Sequence, residues 1–132
     1  MHLPSQEWAD AYRAALNTNA AYQEAARAWE GDILLVVKPA NASDPAPGIH
    51  LALAHGSCSA ATFHPDARTL ASEFVYEGPT ESWQRLFRHE VDPVKAIVGG
   101  TFKVRGNLAK LMRFTRAAKE LVETAGRVPS DP

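Results

Sequence analysis

The residues best suited to nucleophilic chemistry lie together in the segment His55-Gly56-Ser57-Cys58. An imidazole beside a hydroxyl or a thiol could act as the general base of a small hydrolase, with Ser57 or Cys58 as its nucleophile. The segment lacks the flanking glycines of a nucleophile elbow, and no third partner stands out. A loop at a strand end, with Cys58 as a small filler, is the favoured interpretation, so we predict no catalytic residue.

Histidine is the most common metal ligand, and the sequence contains five: His2, His50, His55, His64 and His89. His50 and His55 are separated by an odd number of residues, so on one strand their side chains would point to opposite faces. His2 and His89 have no carboxylate or thiol at ligand spacing. The sequence therefore predicts neither a metal site nor a cofactor.

Glycine-rich and basic segments are the other candidates for binding chemistry. Gly99-Gly100 and Gly106 flank a predicted strand, but they match neither the dinucleotide-binding fingerprint nor the P-loop pattern. Arg85, Arg88 and His89 form a small basic edge. A solvated helix face is the favoured interpretation of that edge, and recognition of an acidic head group is the alternative.

Charge and length narrow the class of protein further. The chain of 132 residues has 14 Lys and Arg against 15 Asp and Glu, a net charge of −1. This balance argues against a partner that is a nucleic acid and against a clamp for anionic lipids, both of which need a basic excess. The length predicts a single domain over residues 1–132.

Three features of the sequence bear on the compartment. The longest apolar run, residues 33–37, has five residues, far short of the ~20 that span a bilayer, so no transmembrane segment is predicted. The first residues show no signal-peptide pattern. Cys58 is the single cysteine and cannot form an internal disulfide. A cytoplasmic location is predicted.

Hydrophobic periodicity predicts the elements that would position these residues. Trp8, Tyr12 and Leu16 recur every four residues in a first helix, from Ser5 to about Asn17. A second helix follows, with helical spacing that reaches Trp29 and ends at Gly31. The unbroken apolar block at 33–37 fits a strand buried on both faces and central in a sheet.

The rest of the chain alternates between strand and helix patterns. Further elements are predicted as strands at 49–54, 60–64, 70–77 and 102–105, helices at 80–87 and 92–98, and a terminal helix capped by Asn107. The predicted class is α+β, with helices on one side of a mostly antiparallel sheet.

Apolar side chains are concentrated in the last third of the chain. The concentration comprises Trp83, Leu86, Phe87, Ile97, Phe102, Leu108, Leu111, Met112 and Phe114. Periodicity alone favours ordinary core packing, because aromatic stripes at helical spacing usually pack inward. The flexible Met112 and the off-face Phe114 are also typical of an adaptable cavity wall.

The order of motifs in this region resembles a known family. The pattern is Gly78-Pro79-x-x-Ser82-Trp83-x-x-Leu86-Phe87, then Asp92-Pro93-x-x-Ala96-Ile97-x-x-Gly100-x-Phe102-x-Val104-x-Gly106-Asn107-x-x-x-Leu111. It is similar to the C-terminal half of the SCP-2 sterol-binding domain family (sterol carrier protein 2-like). Thr101 stands where many members have Lys.

The resemblance implies a five-stranded, mainly antiparallel sheet covered on one side by helices, with an apolar tunnel between the layers. It implies a non-catalytic carrier for a long-chain fatty acyl, sterol-like or isoprenoid ligand. An accessory or dimerisation module with a closed pocket is the alternative. The expected partners are a hydrophobic small-molecule ligand and a second copy of the chain in a homodimer. By position, the resemblance implies eight ligand-binding residues: Trp83, Leu86, Phe87, Ile97, Phe102, Leu108, Leu111 and Met112.

Overall fold

The structure, a computed structural model, describes residues 4–92, 95–96 and 99–129. The elements are α1 (Gln6–Asn17), α2 (Ala20–Ala25), β1 (Ile33–Lys38), β2 (Gly48–Ala54), β3 (Ser57–His64), β4 (Phe74–Pro79), α3 (Thr80–Phe87), β5 (Lys103–Arg105), α4 (Leu108–Met112) and α5 (Thr115–Arg127). Lys95 and Ala96 are helical. Asp92 is described and precedes this helical turn, whereas residues 93, 94, 97 and 98 of the short helix predicted at 92–98, Ile97 included, lie outside the described residues.

Three of the helices begin at residues that cap them. The Ser5 hydroxyl accepts a hydrogen bond from the Trp8 N–H at the start of α1. Asn19 caps α2 and Asn107 caps α4 in the same way. These caps satisfy N–H groups that the first helical turn leaves without partners, which fixes where each helix starts.

One five-stranded sheet, in the order β3-β2-β1-β4-β5, forms the centre of the fold. β1 occupies the middle position, and the sheet is antiparallel except where β1 runs parallel to β4. The parallel pair arises because the chain passes from the β3 edge across to the other side of β1. The predicted α+β class with a mainly antiparallel sheet is confirmed.

The two faces of the sheet are covered by different parts of the chain. Leu34 and Val36 pack with the loop residues Ala46 and Ala67 on one face. Ile33 belongs to the large core on the other face, where the helices lie. Because neighbouring strand residues point to opposite faces, the buried block at 33–37 supplies both layers.

Four predicted boundaries were wrong. The strand predicted at 60–64 begins at Ser57, so Ser57 and Cys58 lie in β3 and not in the predicted loop. The strand predicted at 70–77 begins at Phe74, because the preceding segment crosses over the sheet, where the Ala67 N–H donates to the Ala46 carbonyl, 2.7 Å away. The second helix ends at Ala25, and Trp29 packs from the loop that follows. The terminal helix is interrupted after Met112 and resumes at Thr115.

Among the described residues, none of the helices is both long enough and apolar enough to cross a bilayer.

Candidate functional site

A cavity lies between the helix-covered face of the sheet and the helices α3, α4 and α5. The cavity has a volume of about 60 Å³ and opens to solvent on one side. The wall is almost entirely carbon. The lining residues are Tyr12, Ile33, Leu35, Leu51, Tyr76, Trp83, Leu86, Phe87, Phe102, Leu111, Met112, Thr115, Ala118, Leu121 and Val122.

Trp83 fixes one wall of the cavity. Its indole N–H donates a buried hydrogen bond, 3.0 Å long, to the Val36 carbonyl of the central strand. Its ring lies 4.6 Å from that of Phe102, edge to face, and 5.7 Å from that of Phe87. The hydrogen bond satisfies the only polar atom of this side chain, so the ring can present an apolar surface to the cavity.

Gly78 makes room for a second wall residue. A Cβ at this position would lie 2.5 Å from both Cδ1 and Cε1 of the Phe102 ring. A side chain there would collide with the ring, because carbon atoms in contact are separated by about 3.5–4.0 Å. The absence of a side chain at Gly78 thus allows the Phe102 ring to pack closely against β4.

The interruption between α4 and α5 shapes the mouth. Leu111 is buried, whereas Met112 lines the cavity and is 49% exposed. A side chain that contacts both the cavity and solvent marks the entrance. Beyond the interruption, Thr115 and Ala118 continue the wall along α5.

Two tyrosines bring hydroxyl groups to a wall that is otherwise apolar. The Tyr12 hydroxyl donates to the Leu121 carbonyl at 2.8 Å. Burial raises the pKa of Tyr12 well above its ordinary value, with smaller contributions from Tyr22 and Cys58. Burial also raises the pKa of Tyr76. Both phenols therefore stay neutral at physiological pH, and the lining carries no formal charge.

The structure brings together six of the eight residues predicted to bind ligand: Trp83, Leu86, Phe87, Phe102, Leu111 and Met112. It places Leu108 elsewhere, 47% exposed on the outer face of α4 and not in the cavity wall. Ile97 lies outside the described residues. Ligand binding by these side chains stays a prediction.

The sequence-based prediction missed most of the opposite wall. Ile33 and Leu35 come from the central strand, Leu51 and Tyr76 from its neighbours, and Tyr12 from α1. The alternation of the strand residues was visible in the sequence. What could not be read was which side of each strand the helices cover, since β1 is apolar on both faces.

The other aromatic residue singled out in the sequence, Phe114, lies beside a separate space. Its ring packs edge to face on Trp29, with centroids 5.1 Å apart. Together with Tyr22 it borders a cavity of about 10 Å³, too small for a ligand.

The candidate nucleophile segment is not assembled for catalysis. The two ring nitrogens of His55 contact the Arg27 carbonyl at 3.1 Å and the Glu30 carboxylate at 2.6 Å. Burial raises the pKa of the Cys58 thiol to about 11, and its Sγ donates to the Ala60 carbonyl. Within the described residues, no hydrogen bond joins His55 to Ser57 or Cys58, so the required base and nucleophile are not paired.

The two arginines of the basic edge share one acidic neighbour, which offsets part of their charge. The guanidinium groups of Arg85 and Arg88 lie 3.7 and 3.5 Å from the Glu90 carboxylate. This arrangement matches the favoured interpretation of a solvated helix face.

Comparison with known proteins identifies the family. A family model described as the SCP-2 sterol transfer family matches residues 11–119. The chain belongs to the SCP-2 sterol transfer family. No curated protein matches the sequence.

Solved structures of this family share the whole fold. A crystal structure of sterol carrier protein 2 is 31% identical, with a TM-score of 0.89 over 97% of this chain and 100% of that one. A conserved hypothetical protein of Thermus thermophilus, whose description suggests a sterol carrier protein, is 32% identical, with a TM-score of 0.87 over 100% of this chain and 93% of that one.

A more distant relative shows the fold alone. The apo form of sterol carrier protein 2 from Yarrowia lipolytica is 15% identical, with a TM-score of 0.56 over 89% of this chain and 88% of that one.

Proposed function

We propose that this SCP-2 family protein binds a lipid with a long apolar portion in the cavity between sheet and helices, and carries it chemically unchanged. The ligand class is fatty acyl, sterol-like or isoprenoid. The observation that carries the proposal is a cavity wall made almost entirely of carbon, open to solvent beside Met112. The family membership and the lipid-carrier descriptions of its solved relatives support the same class.

The binding free energy would come from removing apolar surface from water. At about 25 cal/mol per Å², burying a few hundred Å² of lipid gives several kcal/mol before ordering costs. No charged group is needed inside, which agrees with a wall whose two tyrosines stay neutral. The polar end of the ligand would remain at the mouth in contact with water.

The cavity must widen to admit such a ligand. Its volume of about 60 Å³ is smaller than the ~150 Å³ of an engineered cavity that admits benzene. Met112 is the wall residue best placed to move, because it is half exposed and its unbranched side chain has three rotatable bonds. Its outward rotation would widen the mouth of the cavity.

The direct test is to identify and then exclude the ligand. Organic extraction of the purified protein followed by mass spectrometry should recover acyl, sterol-like or isoprenoid species. Ala118→Leu fills the wall between α5 and the sheet and should weaken uptake of a fluorescent fatty acid at least tenfold. Ala14→Leu adds the same carbons on the exposed side of α1 and should leave uptake unchanged.

Two results would count against the carrier function. If the extract contains no lipid and the wild-type protein takes up no fluorescent fatty acid, the accessory or dimerisation module with a closed pocket becomes the better account. If Ala118→Leu and Ala14→Leu reduce uptake equally, the ligand binds outside this cavity. Retention of near-ultraviolet circular dichroism in both variants would show that their folds are intact.

A further inference from the structure

Half of the basic residues of the chain fall in the segment that contains the mouth of the cavity. Residues 93–119 contain seven of the 14 basic residues and no Asp or Glu: Lys95, Lys103, Arg105, Lys110, Arg113, Arg116 and Lys119. The net charge of −1 conceals this concentration, because the acids lie in other parts of the sequence. In this region the chain therefore has the basic excess that contact with an anionic lipid requires.

Exposed apolar side chains occupy the same region. Within the described residues, the large hydrophobic side chains that are exposed are Leu70, Leu108 and Met112. Leu108 and Met112 are four residues apart on α4, so they lie on one side of the helix. An apolar helix face with basic residues around it is typical of segments that enter the interfacial layer of a bilayer.

Lys110 holds α4 in this orientation. Its Nζ contacts the Glu73 carboxylate at 2.9 Å and lies 5.0 Å from the centre of the Trp29 ring. This anchor draws the Lys110 side of α4 toward the sheet. Leu108 and Met112 are left facing solvent rather than turned into the core.

The other basic groups near the mouth are available to a partner. Arg113, Arg116 and Lys119 are exposed, and the ion pairs found among the described residues include none of them. Lys119 borders a surface recess that the acids Glu90, Asp92 and Glu123 also line. Arg113 directly follows the lining residue Met112, and Arg116 directly follows Thr115. Lys119 lies one helical turn before the lining residue Val122. Lys103 and Arg105 alternate with the half-buried Val104 on the edge strand, so they add positive potential from the side.

We propose that α4 and the first turns of α5 dock on an anionic lipid bilayer. Leu108 and Met112 enter the head-group layer, while Arg113, Arg116 and Lys119 contact lipid phosphates. The docking would place the mouth of the cavity against the source of its ligand, and in this respect the inference rests on the proposed carrier function. Attraction to an anionic surface falls off within about 10 Å at 0.1 M salt, so the contact should be salt-sensitive.

Flotation with vesicles tests the docking separately from ligand binding. The full chain should float with vesicles of phosphatidylcholine mixed with phosphatidylglycerol, and not with phosphatidylcholine alone. Arg113→Gln combined with Arg116→Gln should weaken flotation by about tenfold or more. Arg27→Gln combined with Lys38→Gln removes the same charge from outside the basic region and should have little effect.

A second variant tests the apolar part of the contact. Leu108→Gln should weaken flotation severalfold without changing its salt dependence, because it removes apolar contact and no charge. Leu108 is outside the cavity wall, so uptake of a fluorescent fatty acid without vesicles should be unchanged. The same should hold for the Arg113 and Arg116 double variant.

Several outcomes would overturn the docking proposal. These are absence of flotation, equal flotation with phosphatidylcholine alone, equal losses in the two double variants, or tighter binding to single-stranded DNA than to anionic vesicles. Fatty-acid uptake measured without vesicles reports on the carrier function by itself. Docking without uptake would refute the carrier function only, and uptake without docking would refute the membrane contact only.

Discussion

Two regions on the helix-covered face of the sheet use similar apolar residues but pack them differently. Beneath α1 and α2, Trp8, Leu16 and Tyr22 are at most 1% exposed, and the spaces that border Trp8 and Tyr22 measure about 20 and 10 Å³. We call this the filled region. Beneath α3, α4 and α5 lies the cavity of about 60 Å³ with Met112 at its mouth, which we call the hollow region.

The difference follows from how the covering helices are built. α1 is a continuous helix of 12 residues that lays buried side chains from Trp8 to Leu16 on the sheet. The hollow region is covered by helices that are interrupted between Met112 and Thr115, so a single apolar face cannot close over the strands. Stability should therefore depend mainly on the filled region, and ligand uptake on the hollow region.

The largest expected effect is on stability, from truncation in the filled region. Trp8→Ala should reduce the free energy of unfolding by about 3–5 kcal/mol, measured by urea denaturation. Trp8 is fully buried, and its ring lies 4.9 Å from that of Tyr12 and 5.8 Å from that of Phe87.

Trp8→Phe is the matched control. The Trp8 Nε1 is buried without a hydrogen-bond partner among the described residues, so replacing the indole also removes an unsatisfied donor. We expect this variant to lose less than half as much stability as Trp8→Ala. Equal losses would mean that ring packing is not what holds α1 on the sheet.

The second effect in size comes from added volume at the border of the hollow region. Gly78→Ala should lower the free energy of unfolding by about 1–3 kcal/mol, because the new Cβ would displace the Phe102 ring. Glu77→Ala, on the opposite face of β4, should change stability by less than about 0.5 kcal/mol. An equally small effect of Gly78→Ala would show that Phe102 moves freely and that this wall is not rigid.

The sequence predicted the fold better than the site for a physical reason. Periodicity is local, so Ser5 as a cap, the buried central strand β1 and the order of the elements could be recognised. The crossover to β4 could not be recognised in the same way. Residues 65–73 contain the turn signal Pro65-Asp66, followed by residues that alternate as in a strand but do not form one. Their position over β1 depends on tertiary packing with Ala46.

The sequence predicted only the part of the cavity wall that comes from the last third of the chain. Six predicted residues line the cavity because α3, Phe102 and the terminal helices carry their apolar side chains in one direction. Leu108 was assigned to the same helix face as Leu111, but the caps and the Lys110 anchor turn α4 so that Leu108 faces solvent. The role of Gly78 was also hidden, since its contact with Phe102 joins residues far apart in sequence.

The third prediction concerns access to the filled region. Burial raises the pKa of Cys58 from 9.0 to about 11, so its thiolate fraction near neutral pH should be about a hundredfold lower than that of a free thiol. Modification by a thiol reagent should be slow in the folded protein and should reach the rate of a free thiol in urea. Reaction of the folded protein at that rate would show that the filled region opens readily.

The same shift gives a pH dependence with a defined sign. The unfolded chain releases the Cys58 proton near pH 9, before the folded chain does so near pH 11. The unfolded state then binds fewer protons, so Cys58 should lower the stability as pH rises through this window. Cys58→Ala should reduce the loss of stability between pH 9 and 11, and an unchanged pH profile would contradict it.

The smallest effect on stability is expected at the mouth of the hollow region, where it should be accompanied by a change in ligand exchange. Met112→Ala should reduce the free energy of unfolding by less than about 1 kcal/mol, because half of the side chain is already in water. Leu111→Ala, one residue away but buried, should reduce the free energy of unfolding by about 2–4 kcal/mol.

If Met112 must rotate outward to admit lipid, Met112→Ala should accelerate both association and dissociation of a fluorescent fatty acid severalfold in stopped-flow measurements. Unchanged exchange rates in a variant with an intact fold would mean that the ligand enters elsewhere along the cavity. The interruption between α4 and α5 would then not be what opens the cavity to lipid.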